Sequence, residues 1–144
     1  MIEEPSTPNH GPKLLEERPL MGILVHPLAF FTGGIAAAIV YFVANNKYTR
    51  TNARNALNWY ISALLLAILA VGMFFLGGDA MTIGDEVIDI LLLPEPLKSI
   101  TFLIGISLLI AVKLLTVGFS VVATIMAIFG NAWEYPFARD FVRD

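Results

Sequence analysis

The sequence predicts an all-α integral membrane protein with three main hydrophobic helical segments. Three observations carry this. Of the 144 residues, 57% are hydrophobic and 15% charged, where soluble domains carry about a quarter charged. The mean hydropathy is +0.74. The apolar residues are gathered into long runs, the pattern of membrane spans rather than of a large soluble core.

Composition also excludes. The net charge of −3 comes with no basic patch of the kind nucleic acid requires. There is no cysteine, which removes disulfides, thiol nucleophiles and cysteine-based metal sites.

Residues 1–20 read as a polar, disordered N-terminal tail. They are acidic and proline-rich, and they lack the basic and apolar regions of a signal peptide. The membrane domain is expected over 21–129. Its first segment, 21–44, holds no formally charged residue besides His26. As one straight helix it would reach about 36 Å, enough for a hydrocarbon core of about 30 Å. Pro27 and the pair Gly33-Gly34 argue against straightness. A kinked span, two short helices and a re-entrant segment all remain open.

The second segment, 57–76, is long enough for one crossing, with Thr51 or Asn52 as candidate helix caps and Gly77-Gly78 as the stop. The third, 100–129, would be about 45 Å long as a helix, more than a bilayer core needs. It is either one tilted or projecting helix, or two. Between them, the connection 77–99 carries five acids and one lysine. Its stretch DEVIDILLLP reads as a short interfacial helix in preference to plain loop. Residues 130–144 form a tail at the cytoplasmic interface.

Lysine and arginine are densest in the connection 45–56, which holds Lys47, Arg50 and Arg54. That places this connection and the C-terminus in the cytoplasm and the acidic connection outside, in a multi-pass protein of the plasma membrane. Three crossings put the N-terminus outside; a re-entrant first segment moves it inside.

No constellation for catalysis, cofactor binding or metal binding is visible. Ser62, Ser107 and Ser120 lie in apolar helices without a nucleophile motif. Lys113 falls near the middle of the third segment, where a charge costs about 2.5–3.5 kcal/mol. It either lines an ion or proton path, or snorkels from an over-long helix. The segments offer no acid to pair with it, which favours snorkelling. His26 is the intramembrane histidine, and a bond to a backbone carbonyl or water is its simplest role.

Thr51, Asn55, Asn58 and Ser62 recur at helical spacing as a polar stripe entering the membrane. Arg50 and Arg54, one turn apart, suit lipid phosphates. Trp59 and Tyr60 suit an aromatic belt. A buried asparagine needs partners. The tail, with Trp133, Tyr135 and Phe137, is expected to fold back beside Arg54 and Asn58 and supply them. The small residues Ala63, Ala67 and Ala70, with Ala111, Gly118 and Ala123, would let the second and third helices approach closely.

Two stretches carry a resemblance: YTRTNARNALNW before the second segment, and AIFGNAWEYPF after the third. Together they resemble a group of small uncharacterised prokaryotic membrane proteins, itself similar to the twenty-kilodalton channel subunit of the chloroplast inner-envelope import translocon. Ala53, Arg54, Ala56, Leu57, Asn58 and Trp59 match its pattern, as do Tyr135, Pro136 and Phe137. Asn52 stands where histidine is usual, and Asn55 where glutamate is usual. His26 falls where the first segment often carries a histidine, while the usual Gly-Pro there is missing. The resemblance implies three to four membrane helices.

The role that follows is a non-enzymatic subunit or scaffold of a membrane complex, with protein translocation or assembly as the specific activity the resemblance implies. The alternative is a small transporter or channel with a polar path near Lys113, His26 and Asn58. The expected partners are the lipid bilayer and this chain itself or other membrane proteins. No nucleic acid, small-molecule substrate or cofactor is implied.

Overall fold

A computed structural model describes residues 19–78, 81–83, 86–88 and 93–143. The expected disordered tail lies outside them apart from its last two residues. So do residues 79–80, 84–85 and 89–92 of the acidic connection.

The first apolar block is two helices, α1 (Leu20–Thr32) and α2 (Ile35–Val43). Pro27 sits inside α1 without ending it. The break comes at Gly33 and Gly34, whose φ of 65° and 93° lie in the left-handed region that favours glycine. Thr32 carries hydrogen bonding across the break. Its hydroxyl donates to the Leu28 carbonyl (2.8 Å) and accepts from the Ala36 N–H (3.0 Å).

α3 (Lys47–Leu76) starts ten residues before the apolar run that announced it. The cap is Asn46, not Thr51 or Asn52. Its side-chain oxygen accepts from the N–H groups of Tyr48 (2.8 Å) and Thr49 (3.3 Å).

The two limbs of the first block enter and leave on one side. A Cβ on Gly22, early in α1, would lie 2.7 Å from the Tyr48 ring. One on Gly34, at the tip, would lie 2.6 Å from Cβ of Tyr60, more than three turns deeper along α3. α2 then returns to the start of α3 through Ala44–Asn46. At 1.5 Å per residue the limbs are about 20 Å and 14 Å long, each too short to cross. Of the open alternatives, the described residues form two short helices that double back, not one kinked span.

In the acidic connection the described residues form a two-stranded antiparallel ribbon, β1 (Met81–Ile83) with β2 (Glu86–Ile88), in the register Met81↔Ile88. The expected interfacial helix is therefore not formed at 86–88. β-branched residues there suit a strand, and their lack of a single apolar face gave a helix nothing to dock.

The third block is one unbroken helix, α4 (Glu95–Ile128), antiparallel to α3. Phe102 packs by Phe74, Phe119 by Trp59, and the Tyr48 hydroxyl donates to the Ala127 carbonyl. Gly105 and Gly77 allow close approach: a Cβ at Gly105 would lie 2.6 Å from the Phe74 nitrogen and 2.8 Å from the Ala70 carbonyl, and one at Gly77 closer still to the Phe102 nitrogen. Ala63, Ala70 and Ala123 are buried as expected of a close helix contact, whereas Ala111 and Gly118 are exposed.

α4 ends in paired bonds, Asn131 N–H to Met126 O and Gly130 N–H to Ala127 O, both 2.9 Å, with Gly130 at φ 85°. That turn sends residues 131–143 back over the α3 N-terminal half. The fold is thus helical and of membrane character. α3 and α4 are the described helices long and apolar enough to span a bilayer, and their most apolar stretches are only 22% and 17% buried. The rest of those stretches is not covered by the described residues of this chain.

Candidate functional site

The polar side chains gather at one end of the bundle, on one face of α3. The buried members are Asn52, Asn55, Asn58 and Ser62, at spacings of three, three and four. Thr51, expected in this stripe, is only half-buried; Asn52, beside it on the side of α1, is buried.

Asn52 faces α1. Its amide nitrogen donates to the Tyr48 carbonyl (3.0 Å), which fixes its orientation and leaves the amide oxygen facing His26 Nε2 at 3.0 Å. The oxygen can only accept, so Nε2 carries a proton. The other ring nitrogen, Nδ1, lies 2.9 Å from the Tyr135 hydroxyl. Burial pushes the Tyr135 phenol above its ordinary range, so it keeps its proton and can donate to Nδ1. A neutral imidazole with its proton on Nε2 completes both bonds. His26 and Asn52 are both 0% exposed. The Ser120 hydroxyl donates to the His26 carbonyl (3.3 Å) and ties α4 to the same point.

The next three residues hold the tail. The Asn55 amide donates to the Trp133 carbonyl (3.1 Å). Asn58 binds Val142 twice, accepting from its N–H (2.7 Å) and donating to its carbonyl (3.2 Å). Ser62 accepts from the Arg139 N–H (3.0 Å) and donates to the Asn58 carbonyl (2.8 Å). The Tyr41 hydroxyl of α2 donates to the Arg143 carbonyl (3.3 Å). A non-helical segment has unpaired backbone groups, and here the asparagine and serine side chains satisfy them.

Aromatic packing completes the clasp. The Trp59 ring lies parallel to Tyr135 at 6.1 Å and edge-on to Phe119 at 4.8 Å. Trp59 is 1% exposed and Tyr135 is buried. Trp59, expected in an aromatic belt with Tyr60, is instead packed beneath the tail. Pro136 and Phe137 are the central residues of a turn closed by Ala138 N–H to Tyr135 O (3.2 Å). Phe137 has a φ of 68°, in the region favouring glycine, and its ring points outward, 80% exposed. Arg50 stands 5.0 Å over the Tyr41 ring, a contact its role toward lipid phosphate did not anticipate.

The remaining sequence candidate, Lys113, stands apart. It is exposed near the middle of α4, in a groove with Phe31, Gly33 and Leu64. His26 lies in the core and Asn58 in the tail clasp, so the three do not form one polar path. Among the described residues, no group of three or more His, Asp or Glu side chains converges where a metal ion could sit.

Sequence reasoning missed Asn52, Tyr48 and the His26–Tyr135 bond. Asn52 lies about 60° round the helix from Asn55, toward α1, so the spacing that marked the stripe did not mark it. Nothing local signals a pairing 109 residues apart.

Among curated proteins and among solved structures, nothing matches the chain. Over residues 17–142 it matches the family described as the magnetosome magnetite crystal formation protein family. This overturns the resemblance to the import-translocon group. ALNW and YPF are the two halves of the clasp, a packing solution, and packing does not carry function. The chain belongs to the MamF/MmsF magnetosome magnetite crystal formation protein family.

Proposed function

We propose that this chain is a non-enzymatic structural component of a magnetosome membrane that takes part in magnetite crystal formation. The family supplies the process. The clasp supports the structural role: its asparagines, its histidine and its serine are bonded to one another and to backbone, so none is left poised for acid–base or nucleophilic work. Asn58, with Ser62 and Asn55, serves to hold the C-terminal segment on α3. His26 serves to hold the re-entrant hairpin.

In this reading the clasp, the hairpin mouth and both termini lie on the cytoplasmic side, following Lys47, Arg50 and Arg54. The acidic connection faces the opposite compartment. Single cysteines replacing Asn45 and Asp85 would be labelled from opposite sides of sealed vesicles; labelling of both from one side contradicts the topology.

The functional test is deletion in the native host. Loss of the chain should change the number or size of magnetite crystals seen by electron microscopy, and Asn58→Leu should reproduce part of that change. Unaltered crystals in the deletion strain would sink the reading. So would a solute flux through liposomes of the purified protein.

A further inference from the structure

The hairpin is too short to cover the α3–α4 pair. It ends level with Tyr60, and beyond its tip the same face is bare. A groove of about 870 Å³ opens there. Phe31 and Gly33 of the tip, Ala63 and Ala67 of α3, and Leu109 and Lys113 of α4 line it.

Three features of this groove bear on its occupant. First, its α3 wall carries the small residues Ala63 and Ala67 beside Tyr60 and Leu64, and the alanines let another backbone come close. Second, its walls are apolar except for Lys113, Tyr60 and Thr116; the Thr116 hydroxyl is bonded to the Val112 carbonyl, and Lys113 is the one formal charge. Third, Lys113 has no ion pair or hydrogen bond among the described residues. Its depth is fixed by its neighbours on α4. Phe119 packs on Trp59 and Gly105 on Ala70, so Lys113 lies between those levels, within the apolar stretch of α3. Lipid tails offer a lysine no partner there. The apolar stretches of this chain hold no aspartate or glutamate, so a second copy packed at that depth offers none either.

We infer that the groove receives a transmembrane helix of another protein, one that carries an aspartate or glutamate at the depth of Lys113. The small α3 face seats its backbone, and Lys113 meets its carboxylate in a charge-assisted hydrogen bond. The hairpin fills the cytoplasmic half of a three-helix bundle and the partner helix fills the other half. This rests on reading the chain as a structural membrane component, and it gives the partner a chemistry.

The test uses the purified full-length chain in phosphatidylcholine liposomes, labelled with a donor fluorophore at Asn45→Cys, the sequence being otherwise free of cysteine. The probes are acceptor-labelled leucine–alanine helices of about twenty residues with one central Glu, or Gln in the control. Energy transfer should show the Glu helix bound about tenfold more tightly than the Gln helix, the scale of one interhelical hydrogen bond. Lys113→Leu should erase the difference, and Lys113→Glu should prefer a helix with a central Lys. Lys113 is exposed, so these variants keep the fold, checked by unchanged amide protection at Val142.

Equal binding of the Glu and Gln helices to the native chain overturns the proposal. So does a Glu preference that survives Lys113→Leu. If added anionic lipid removes the preference, the lysine serves lipid headgroups instead and the proposal falls. If self-association drops in Lys113→Leu while the helices are not discriminated, the groove serves a second copy and the proposal falls. A Lys113→Leu chain that still supports crystal formation, in a protein that fails to discriminate the helices, refutes this inference and leaves the functional reading standing.

Discussion

The two halves of this bundle are built on opposite principles. In the half that holds the clasp, α3 buries three amides and a hydroxyl, and each of them hydrogen-bonds to α1 or to the tail. In the far half, Gly105, Ala70 and Phe74 with Phe102 bring α3 and α4 together by close packing. The difference follows from what each half must hold. Two apolar helices need only shape complementarity to pack in lipid. A hairpin with a glycine break and a non-helical tail have free backbone groups, and these require donors and acceptors at fixed places. Specificity of structure therefore resides in the clasp half, and the far half is left open on its surface.

Substitutions should divide along the same line. The largest effect is expected for His26→Leu. It strands the Asn52 oxygen and the Tyr135 hydroxyl in a dry core, and should cost about 3 kcal/mol of stability, read as a lowered Tm in detergent. Gly34→Ala comes next, at about 2–3 kcal/mol, because it combines an unfavourable positive φ with a clash against Tyr60. Gly33→Ala provides the internal control. Its φ is also positive, but its Cβ meets nothing within 4 Å, so about 1 kcal/mol is expected. Equal losses at the two glycines would show that Tyr60 does not set the hairpin's depth.

Tyr135→Phe keeps the ring stack and removes the bond to His26. It should cost about 1–2 kcal/mol by the same melting assay. The smallest effect belongs to the far half. Lys113→Leu should change the melting temperature by no more than the equivalent of about 0.5 kcal/mol. A loss there as large as that of Tyr135→Phe would erase the contrast between the halves.

Much of the far half was legible in the sequence; of the clasp half, the return of the tail to Asn58 was legible, and most of its bonding was not. Apolar runs disclosed α4 and the lower part of α3, because a helix packed by shape in lipid is apolar wherever it is long. Gly33-Gly34 marked the hairpin break, since few other residues fit there. The start of α3 was hidden. Its first turns are polar, and hydropathy reads a polar turn as solvated, whereas Asn52, Asn55 and Asn58 are buried by pairing. Trp59 was misplaced for the same reason: an aromatic at a span boundary suits an interface until a tail covers it. Asn58 did declare itself as a polar residue in need of a partner. That the partner is the backbone of Val142, 84 residues away, depends on the tail's turn at Tyr135–Ala138 and on no local pattern.

The central claim is that the polar stripe of α3 holds the C-terminal segment through its backbone. Hydrogen–deuterium exchange of the Val142 and Arg139 amides, compared between the native chain and Asn58→Leu in the same detergent, tests it most directly. The account predicts that both amides are protected in the native chain, with Val142 losing protection in the variant and Arg139 losing part of it. Rapid exchange of Val142 in the native chain, or protection unchanged by Asn58→Leu, would contradict it.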